Sequence, residues 1–159
     1  MWPHIYAAIL LCHSSLAELK LNWKGPCVLG PWLAKGFPAL KSVEVEAGSV
    51  SLEEGLQQVS VLESLSVEGG PALVASLPLS LTRLVLWRCD LTAIPAALSS
   101  LEKLEEVDLS YNKFGTSSFA AFSSLRSLRM LNLAGSGLSS LPAEVSCLTG
   151  LKMLYLDDN

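Results

Sequence analysis

The chain has 159 residues, of which 50% are hydrophobic and 16% are charged, and its formal net charge is −4 at pH 7. This composition is too apolar for an intrinsically disordered chain, and the length suits one continuous core without a second globular domain. The negative charge disfavours contact with phosphate backbones, so we expect no nucleic-acid partner. No apolar stretch approaches the roughly 20 residues that span a bilayer, so no membrane span is expected.

The first feature along the chain is an apolar run at positions 5–12. Its length is near the lower end for the core of a signal peptide, but residues 1–4 contain no Lys or Arg to precede such a core. The run also fits the repeat spacing described below. We therefore predict a buried helix here and not a targeting signal.

A short pattern with apolar residues at its first, fourth and sixth positions then opens at Leu16, Leu40 and Leu62. The fourth and sixth positions are two residues apart, which is the period of a β-strand, so both face one side. The copies are 24 and 22 residues apart, and only 19 residues separate the third from the next copy, at Leu81. We call the part of the chain formed by one copy a coil, and the shortened coil before Leu81 is predicted to lack a helix. Residues 23–38 are rich in Pro and Gly and form the least regular part of the pattern.

Four clearer copies follow. They begin at Leu81, Leu104, Leu128 and Leu151, with spacings of 23, 24 and 23 residues. A constant period of this size is typical of a solenoid, in which each repeat adds one structural unit to a continuous core. Between the strands, apolar residues recur three apart behind a proline, as in residues 94–101, which predicts a helix or a 3₁₀ turn.

The ninth position of the clear copies holds a small side chain that can hydrogen-bond. These residues are Cys89, Asn112, Ser136 and Asn159. Such a side chain can bond the bare backbone of the turn and of the next coil, so stacked copies predict a ladder of hydrogen bonds. The ninth residues of the first three copies are Lys24, Gly48 and Gly70. We expect no asparagine ladder in that part of the chain, and looser or irregular turns.

These patterns resemble the leucine-rich repeat, Leu-x-x-Leu-x-Leu-x-x-Asn-x-Leu followed by x-x-Leu-Pro-x-x-Leu-x-x-Leu, most closely over residues 81–159. The resemblance implies an α/β solenoid: a horseshoe arc with a concave parallel β-sheet and with convex helices, 3₁₀ turns and loops. We expect a single leucine-rich repeat domain over residues 1–159, irregular before residue 81 and with an incomplete last repeat. Its repeats, about seven in all, start at residues 16, 40, 62, 81, 104, 128 and 151.

Both ends of the pattern stop within a repeat. The last copy ends at Asn159, and the residues before Leu16 match only the back half of a copy. Solenoids usually carry polar terminal caps, and neither end has one. We therefore expect a fragment, or a partial gene model, of a longer repeat array. The alternative is a complete chain whose open strand edges are covered by a partner.

The residue types that carry catalysis or bind metals form no pattern. No recognisable motif pairs His4 or His13 with a nucleophile, and the four cysteines are scattered without a C-x-x-C motif. Asp157 and Asp158 are predicted to be solvated surface and not a Ca²⁺ site. We expect that the chain is not an enzyme and that it binds no cofactor and no metal. Free thiols and the absence of an Asn-x-Ser/Thr sequon favour the cytoplasm, whereas a receptor fragment would be extracellular.

Function is then expected on the outward residues at positions three, five, seven and eight of each copy. Across the copies these positions carry eight acidic and three basic side chains, which favours a basic protein or peptide partner. The alternative is that these charges only aid solubility. The residues predicted to bind the partner are Arg83, Val85, Trp87, Arg88, Glu106, Asp108, Tyr111, Met130, Asn132, Met153 and Tyr155.

Trp87, Arg88 and Tyr111 are the strongest candidates because Trp, Arg and Tyr are enriched at interface hot spots. The alternative is that Trp87 packs on Tyr111 and Arg83 and only stabilises the sheet. We predict a non-catalytic protein–protein interaction module that binds a protein or peptide on its concave sheet.

Two other functions stay open. One is the ligand-sensing ectodomain of a plant-like leucine-rich repeat receptor or receptor kinase, since residues 108–115 resemble the plant-type repeat. The other is the substrate-targeting leucine-rich repeat region of a larger enzyme. The sequence does not indicate the oligomeric state.

Overall fold

The computed structural model describes residues 14–115 and 117–159. The helix predicted at residues 5–12, both histidines and Cys12 lie outside the described residues. The described chain winds into a solenoid whose strands form one parallel sheet in the order β1-β2-β3-β5-β6-β7-β8, with β4 paired to β2. The predicted solenoid with a parallel sheet is confirmed.

The strands in the described part of the chain are β1 (Glu18–Leu29), β2 (Ser42–Leu52), β3 (Ser64–Glu68), β4 (Ala72–Val74), β5 (Arg83–Trp87), β6 (Glu106–Asp108), β7 (Met130–Asn132) and β8 (Met153–Tyr155). The connections contain the α-helix α1 (Trp32–Gly36) and 3₁₀ helices at Leu56–Gln58, Ala96–Ser100, Ala120–Ser124 and Ala143–Cys147. The connection from β4 to β5 is fully described and has no helix, in agreement with its shortened sequence.

The apolar positions of the repeat point into a single core. In β5, Leu84 and Leu86 are fully buried, and so is Leu81 just before the strand. Phe119 and Phe122, at the third 3₁₀ helix, are also buried, so the side of each coil opposite the sheet packs into the same core. Burying one such side chain is worth about 2 kcal/mol, and the regular repeat places these contributions in every coil.

A ladder of side-chain bonds closes the turns after the strands. Asn112 Oδ1 accepts hydrogen bonds from the N–H groups of Cys89 (3.1 Å) and Leu91 (3.0 Å), while its Nδ2 donates to the carbonyls of Leu86 (2.7 Å) and Leu109 (2.8 Å). Except for Leu109, these groups belong to the preceding coil. The prediction that the ladder bonds the next coil was therefore wrong in direction.

The other ninth-position residues bond in the same direction. Asn159 Oδ1 accepts from the N–H of Ser136 at 3.1 Å. Cys89 Sγ donates to the carbonyl of Val67 at 3.4 Å, and Ser136 Oγ donates to that of Leu109 at 3.4 Å. Burial raises the pKa of the Cys89 thiol to about 12, so the thiol keeps its proton for this bond.

The backbone at the ninth position of the first coils differs from that of the later ones. Strand β1 has a register shift between Trp23 and Pro26, which agrees with the expected irregularity, but β2 runs through its ninth position as an uninterrupted strand. The expectation of a looser turn was wrong for β2. Glycine explains this, because a Cβ added to Gly48 would lie 2.5 Å from the carbonyl oxygen of Lys24. Neighbouring backbones therefore touch directly where the later coils use a side chain.

Candidate partner-binding face

The outward side chains of the sheet form straight rows because the strands pair in register. The third-position row is Ser64, Arg83, Glu106, Met130 and Met153. The fifth-position row is Ser66, Val85, Asp108, Asn132 and Tyr155. We call these rows, together with the seventh- and eighth-position residues beside them, the sheet face. Neighbours within a row lie on adjacent strands, about 4.8 Å apart.

The fifth-position row is partly occupied by its own hydrogen bonds. Asp108 Oδ1 accepts from the N–H of Ser110 at 2.9 Å, and Oδ2 accepts from Asn132 Nδ2 at 2.9 Å. Asn132 Oδ1 in turn accepts from the N–H of Ala134 at 3.0 Å. Val85, at the same position of β5, is only 7% exposed. Asp108, Asn132 and Val85 therefore lie on the predicted face but offer less to a partner than the sequence suggested.

Three of the predicted residues pack together at the rim of the sheet face, and we call them the Trp–Arg–Tyr cluster (Trp87, Arg88 and Tyr111). The rings of Trp87 and Tyr111 meet edge to face, with centroids 6.3 Å apart. Arg88 Cζ lies 4.6 Å from the centroid of the Trp87 ring and 5.4 Å from that of Tyr111. Tyr111 is nevertheless 41% exposed, and Arg88 is exposed as well. The cluster is thus both packed and accessible.

The alternative in which Trp87 only stabilises the sheet had it pack on Arg83, but Arg83 pairs with Glu106. Its Nε lies 3.4 Å from Glu106 Oε2, and both side chains are about half exposed. Such exposed pairs are worth about 0–1 kcal/mol. The cation that lies over the Trp87 ring is therefore Arg88, from the turn that follows the strand.

A left-handed backbone sets the direction of the eighth-position side chains. The φ angles are 51° at Arg88, 56° at Tyr111, 59° at Gly135 and 56° at Asp158. This conformation costs a residue with a side chain roughly 1–2 kcal/mol. The ninth-position ladder holds the turn in place, and the eighth residues line up along one rim.

Tyr111 spans a whole coil along this rim. Its ring lies over Gly135, where an added Cβ would be 2.6 Å from Tyr111 Cδ1. Its hydroxyl donates to Asp158 Oδ2 at 2.8 Å. This hydrogen bond, followed by the charge of Asp158, raises the pKa of Tyr111. The sequence reasoning missed the roles of Gly135 and Asp158. The available signal was that the two eighth positions after Tyr111 hold a glycine and then an aspartate.

Replacing Asp158 with asparagine is expected to lower the pKa of Tyr111 towards its ordinary value. Only the neutral phenol donates to the carboxylate, so this bond contributes below pH 10 and is lost as pH rises through the folded pKa. A tyrosine-specific absorbance titration, assigned with Tyr111→Phe, measures the shift. Asp157→Asn is the matched control, because Asp157 has the smallest influence on Tyr111. Equal shifts from the two variants would contradict the bond.

An apolar strip continues the face beyond the cluster. Met130 pairs in register with Met153, and Asn132 pairs with Tyr155. Met153 is 47% exposed and Tyr155 is 44% exposed. Polarisable methionines beside an aromatic ring make an adaptable apolar surface. The strip brings together the remaining predicted residues on β7 and β8.

Two of the three basic side chains on the described sheet face form ion pairs, and the third does not. Lys20 Nζ lies 2.6 Å from Glu44 Oε2, and Arg83 pairs with Glu106. Within residues 14–115 and 117–159, Arg88 is the basic residue of this face that forms no ion pair.

Other kinds of site were sought in the described ranges. No group of three or more His, Cys, Asp or Glu side chains there could hold a metal ion. No helix of the same ranges is both long and apolar enough to cross a bilayer. Cys27, Cys89 and Cys147 are free thiols.

Comparison with known proteins supports the repeat pattern. A sequence model of the family "Leucine rich repeat" matches residues 80–138. The chain is 33% identical over 127 residues to the volume-regulated anion channel subunit LRRC8A of Rattus norvegicus, with the same identity to that of Mus musculus. The match covers 76% of this chain and spans only 16% of the length of those relatives.

Solved structures with similar folds include a leucine-rich repeat protein of Leptospira interrogans, with a TM-score of 0.68 and 23% identity, covering 83% of this chain and 34% of that one. An internalin of Listeria monocytogenes has a TM-score of 0.63 and 21% identity, covering 79% of this chain and 36% of the internalin. At these identities the likeness concerns the fold alone.

Proposed function

The chain is a leucine-rich repeat protein, and from this we propose that it is a non-catalytic interaction module whose sheet face binds a protein or peptide. The observation that carries the proposal is the gathering of exposed aromatic and sulfur-containing side chains on that face. Tyr111, Met153 and Tyr155 are each more than 40% exposed there, beside the half-buried Trp87.

The energetics favour an interface centred on the Trp–Arg–Tyr cluster. A few Trp, Tyr and Arg residues usually supply most of the affinity of a protein interface. Here the rings of Trp87 and Tyr111 already hold each other and Arg88, so little side-chain entropy is lost when a partner covers them. Met130, Met153 and Tyr155 would extend the contact along the strip.

The charge of the face favours a partner with basic groups. Lys20 and Arg83 are paired with Glu44 and Glu106. The acids of the described face that have no ion pair are Glu18, Glu46, Glu68, Asp108, Asp157 and Asp158. Such an excess of acids attracts cationic segments and repels nucleic acid.

A second candidate function is that of an interaction domain within a channel subunit, which the similarity to the anion channel subunits favours. Extended sequence from the same gene, read for membrane spans, tests it. The receptor-ectodomain and enzyme-targeting alternatives, the cytoplasmic localisation and the absence of catalysis and cofactors stay predictions.

A double substitution tests the proposed face. Trp87→Ala with Arg88→Ala is expected to weaken partner capture by roughly 30-fold, since truncating hot-spot residues costs about 2 kcal/mol or more. Quantitative affinity capture, with bound proteins identified by mass spectrometry, measures the loss. Circular dichroism checks that the variant is folded.

Leu73→Ala with Leu79→Ala is the matched control. These leucines are 67% and 57% exposed, but they lie away from the rows of the sheet face. Capture should be unchanged in this control. If the control loses capture while the cluster variant keeps it, the binding surface lies elsewhere.

A further inference from the structure

We propose that Arg88 is the receptor for a partner's carboxylate, so that the bound segment presents an Asp or Glu side chain to the Trp–Arg–Tyr cluster. The inference rests on the proposed function and names the chemistry that the same face recognises. It also refines the expectation of a basic partner, because the segment would carry both signs of charge.

The geometry of Arg88 is that of a prepared anion receptor. Its guanidinium lies 4.6 Å from the Trp87 centroid and 5.4 Å from the Tyr111 centroid, so the two aromatic rings hold the group in position. A guanidinium held over an aromatic ring still carries N–H donors that can bond the two oxygens of a carboxylate. Arg88 is exposed, so these donors can be reached.

The neighbouring cations differ from Arg88 in a way that supports this assignment. Lys20 and Arg83 each have a carboxylate of the chain itself, at 2.6 Å and 3.4 Å. Across the described ranges, Arg88 has no such ion pair, although acids surround it on the face. Its charge is therefore available to a group from outside the chain.

The surrounding acids favour a carboxylate over a phosphate. Glu68 pairs in register with Trp87, and Asp158 bonds Tyr111, so negative charge flanks the cluster on both sides. A phosphate dianion would meet about twice the repulsion that a monoanionic carboxylate meets. The site thus fits a singly charged acid.

The same acids define the rest of the segment. Glu68 on β3 pairs in register with Trp87, and Glu46 on β2 pairs with Glu68. At the spacing of adjacent strands, the backbones of Glu68 and Glu46 therefore lie about 5 and 10 Å from that of Trp87. An extended peptide advances about 3.3 Å per residue. The segment would therefore carry a Lys or Arg within about three residues of its acid.

Selection from a displayed random-peptide library tests the proposal on the folded chain. Peptides enriched by the wild type are expected to share one Asp or Glu with a nearby Lys or Arg. Fluorescence anisotropy with an enriched peptide then gives the dissociation constants. Arg88→Gln should weaken binding by about tenfold, as should a Glu→Gln or Asp→Asn change in the peptide. Combining both changes should weaken binding little further.

Arg129→Gln is the matched control. Arg129 is an exposed arginine outside the sheet-face positions, and its Nε lies 3.5 Å from Glu105 Oε2. This variant removes the same charge and should change the affinity by less than about twofold.

The possible results separate the two ideas. If Trp87→Ala abolishes peptide binding but Arg88→Gln equals Arg129→Gln, the face binds and the carboxylate receptor is refuted. If no peptide is enriched, or Trp87→Ala has no effect, the proposed face and the receptor both fail. A phosphoserine peptide that binds more tightly than its glutamate counterpart would overturn the preference for a carboxylate.

Discussion

Replacing Asn112 with alanine is expected to lower the free energy of unfolding by about 4 kcal/mol, because each buried polar group left without a partner costs about 1–3 kcal/mol. Asn112 is 3% exposed. Its side-chain amide accepts hydrogen bonds from the N–H groups of Cys89 and Leu91 and donates one to the carbonyl of Leu86. Alanine satisfies none of them. Urea denaturation followed by circular dichroism measures the loss.

Asn132→Ala is the matched control for this change. Asn132 also makes a bond through each end of its amide, to Asp108 and Ala134, but it is only half-buried, so water can replace the lost partners. We expect a loss of about 1 kcal/mol. Equal losses for the two asparagines would mean that the ladder contributes no more than a surface hydrogen bond.

The ladder also matters for the candidate site. Asn112 bonds the N–H of Cys89, next to Arg88, and its own neighbour is Tyr111. Both neighbours have left-handed backbones, which the ladder bonds help to hold. The residues that build the Trp–Arg–Tyr cluster thus stand on the turn that Asn112 closes. A weakened ladder should loosen the cluster along with the fold.

The parts of this structure that follow from local pattern were predictable from the sequence. Leu84 and Leu86 are two residues apart and recur with each repeat, which assigns them to the core and their neighbours to the outer face. Parallel in-register pairing then places the third-position residues, such as Met130 and Met153, side by side. Periodicity suffices for this because it fixes which way each side chain points.

The details of the candidate site depend on features that no local pattern encodes. Nothing in the sequence at Arg88 or Tyr111 predicts a left-handed backbone, since both residues ordinarily avoid it. The bond from Tyr111 to Asp158 joins residues 47 apart and requires Gly135 between them. It depends on how far successive coils rise, and the repeat period does not give that distance. The direction of the ladder was misjudged for the same reason.

The early coils show a further limit. Absence of a polar ninth residue suggested a loose turn, but Gly48 instead allows β2 to continue and to pack its backbone against the coil before it. A glycine can mark either a flexible turn or a close approach of two backbones. Only the position of the neighbouring coil distinguishes these meanings.

Gly70→Ala is expected to lower the free energy of unfolding by about 3 kcal/mol or more, through overpacking against a rigid neighbour and a strained backbone. An added Cβ would collide with the carbonyl group of Gly48, and it would lie 3.0 Å from the carbonyl oxygen of Ala47. These are backbone atoms of the adjacent coil, so no side-chain rotation can relieve the contact. Urea denaturation again measures the change.

Gly69→Ala separates the two causes, because Gly69 also has a positive φ, of 73°, but an added Cβ there meets nothing within 4 Å. It should lose only the conformational part, about 1 kcal/mol. A difference of about 2 kcal/mol between these adjacent glycines would show that direct backbone contact stacks the early coils. If both variants lose the same amount, the left-handed backbone alone explains the glycines, and the early coils are held together by their leucine core.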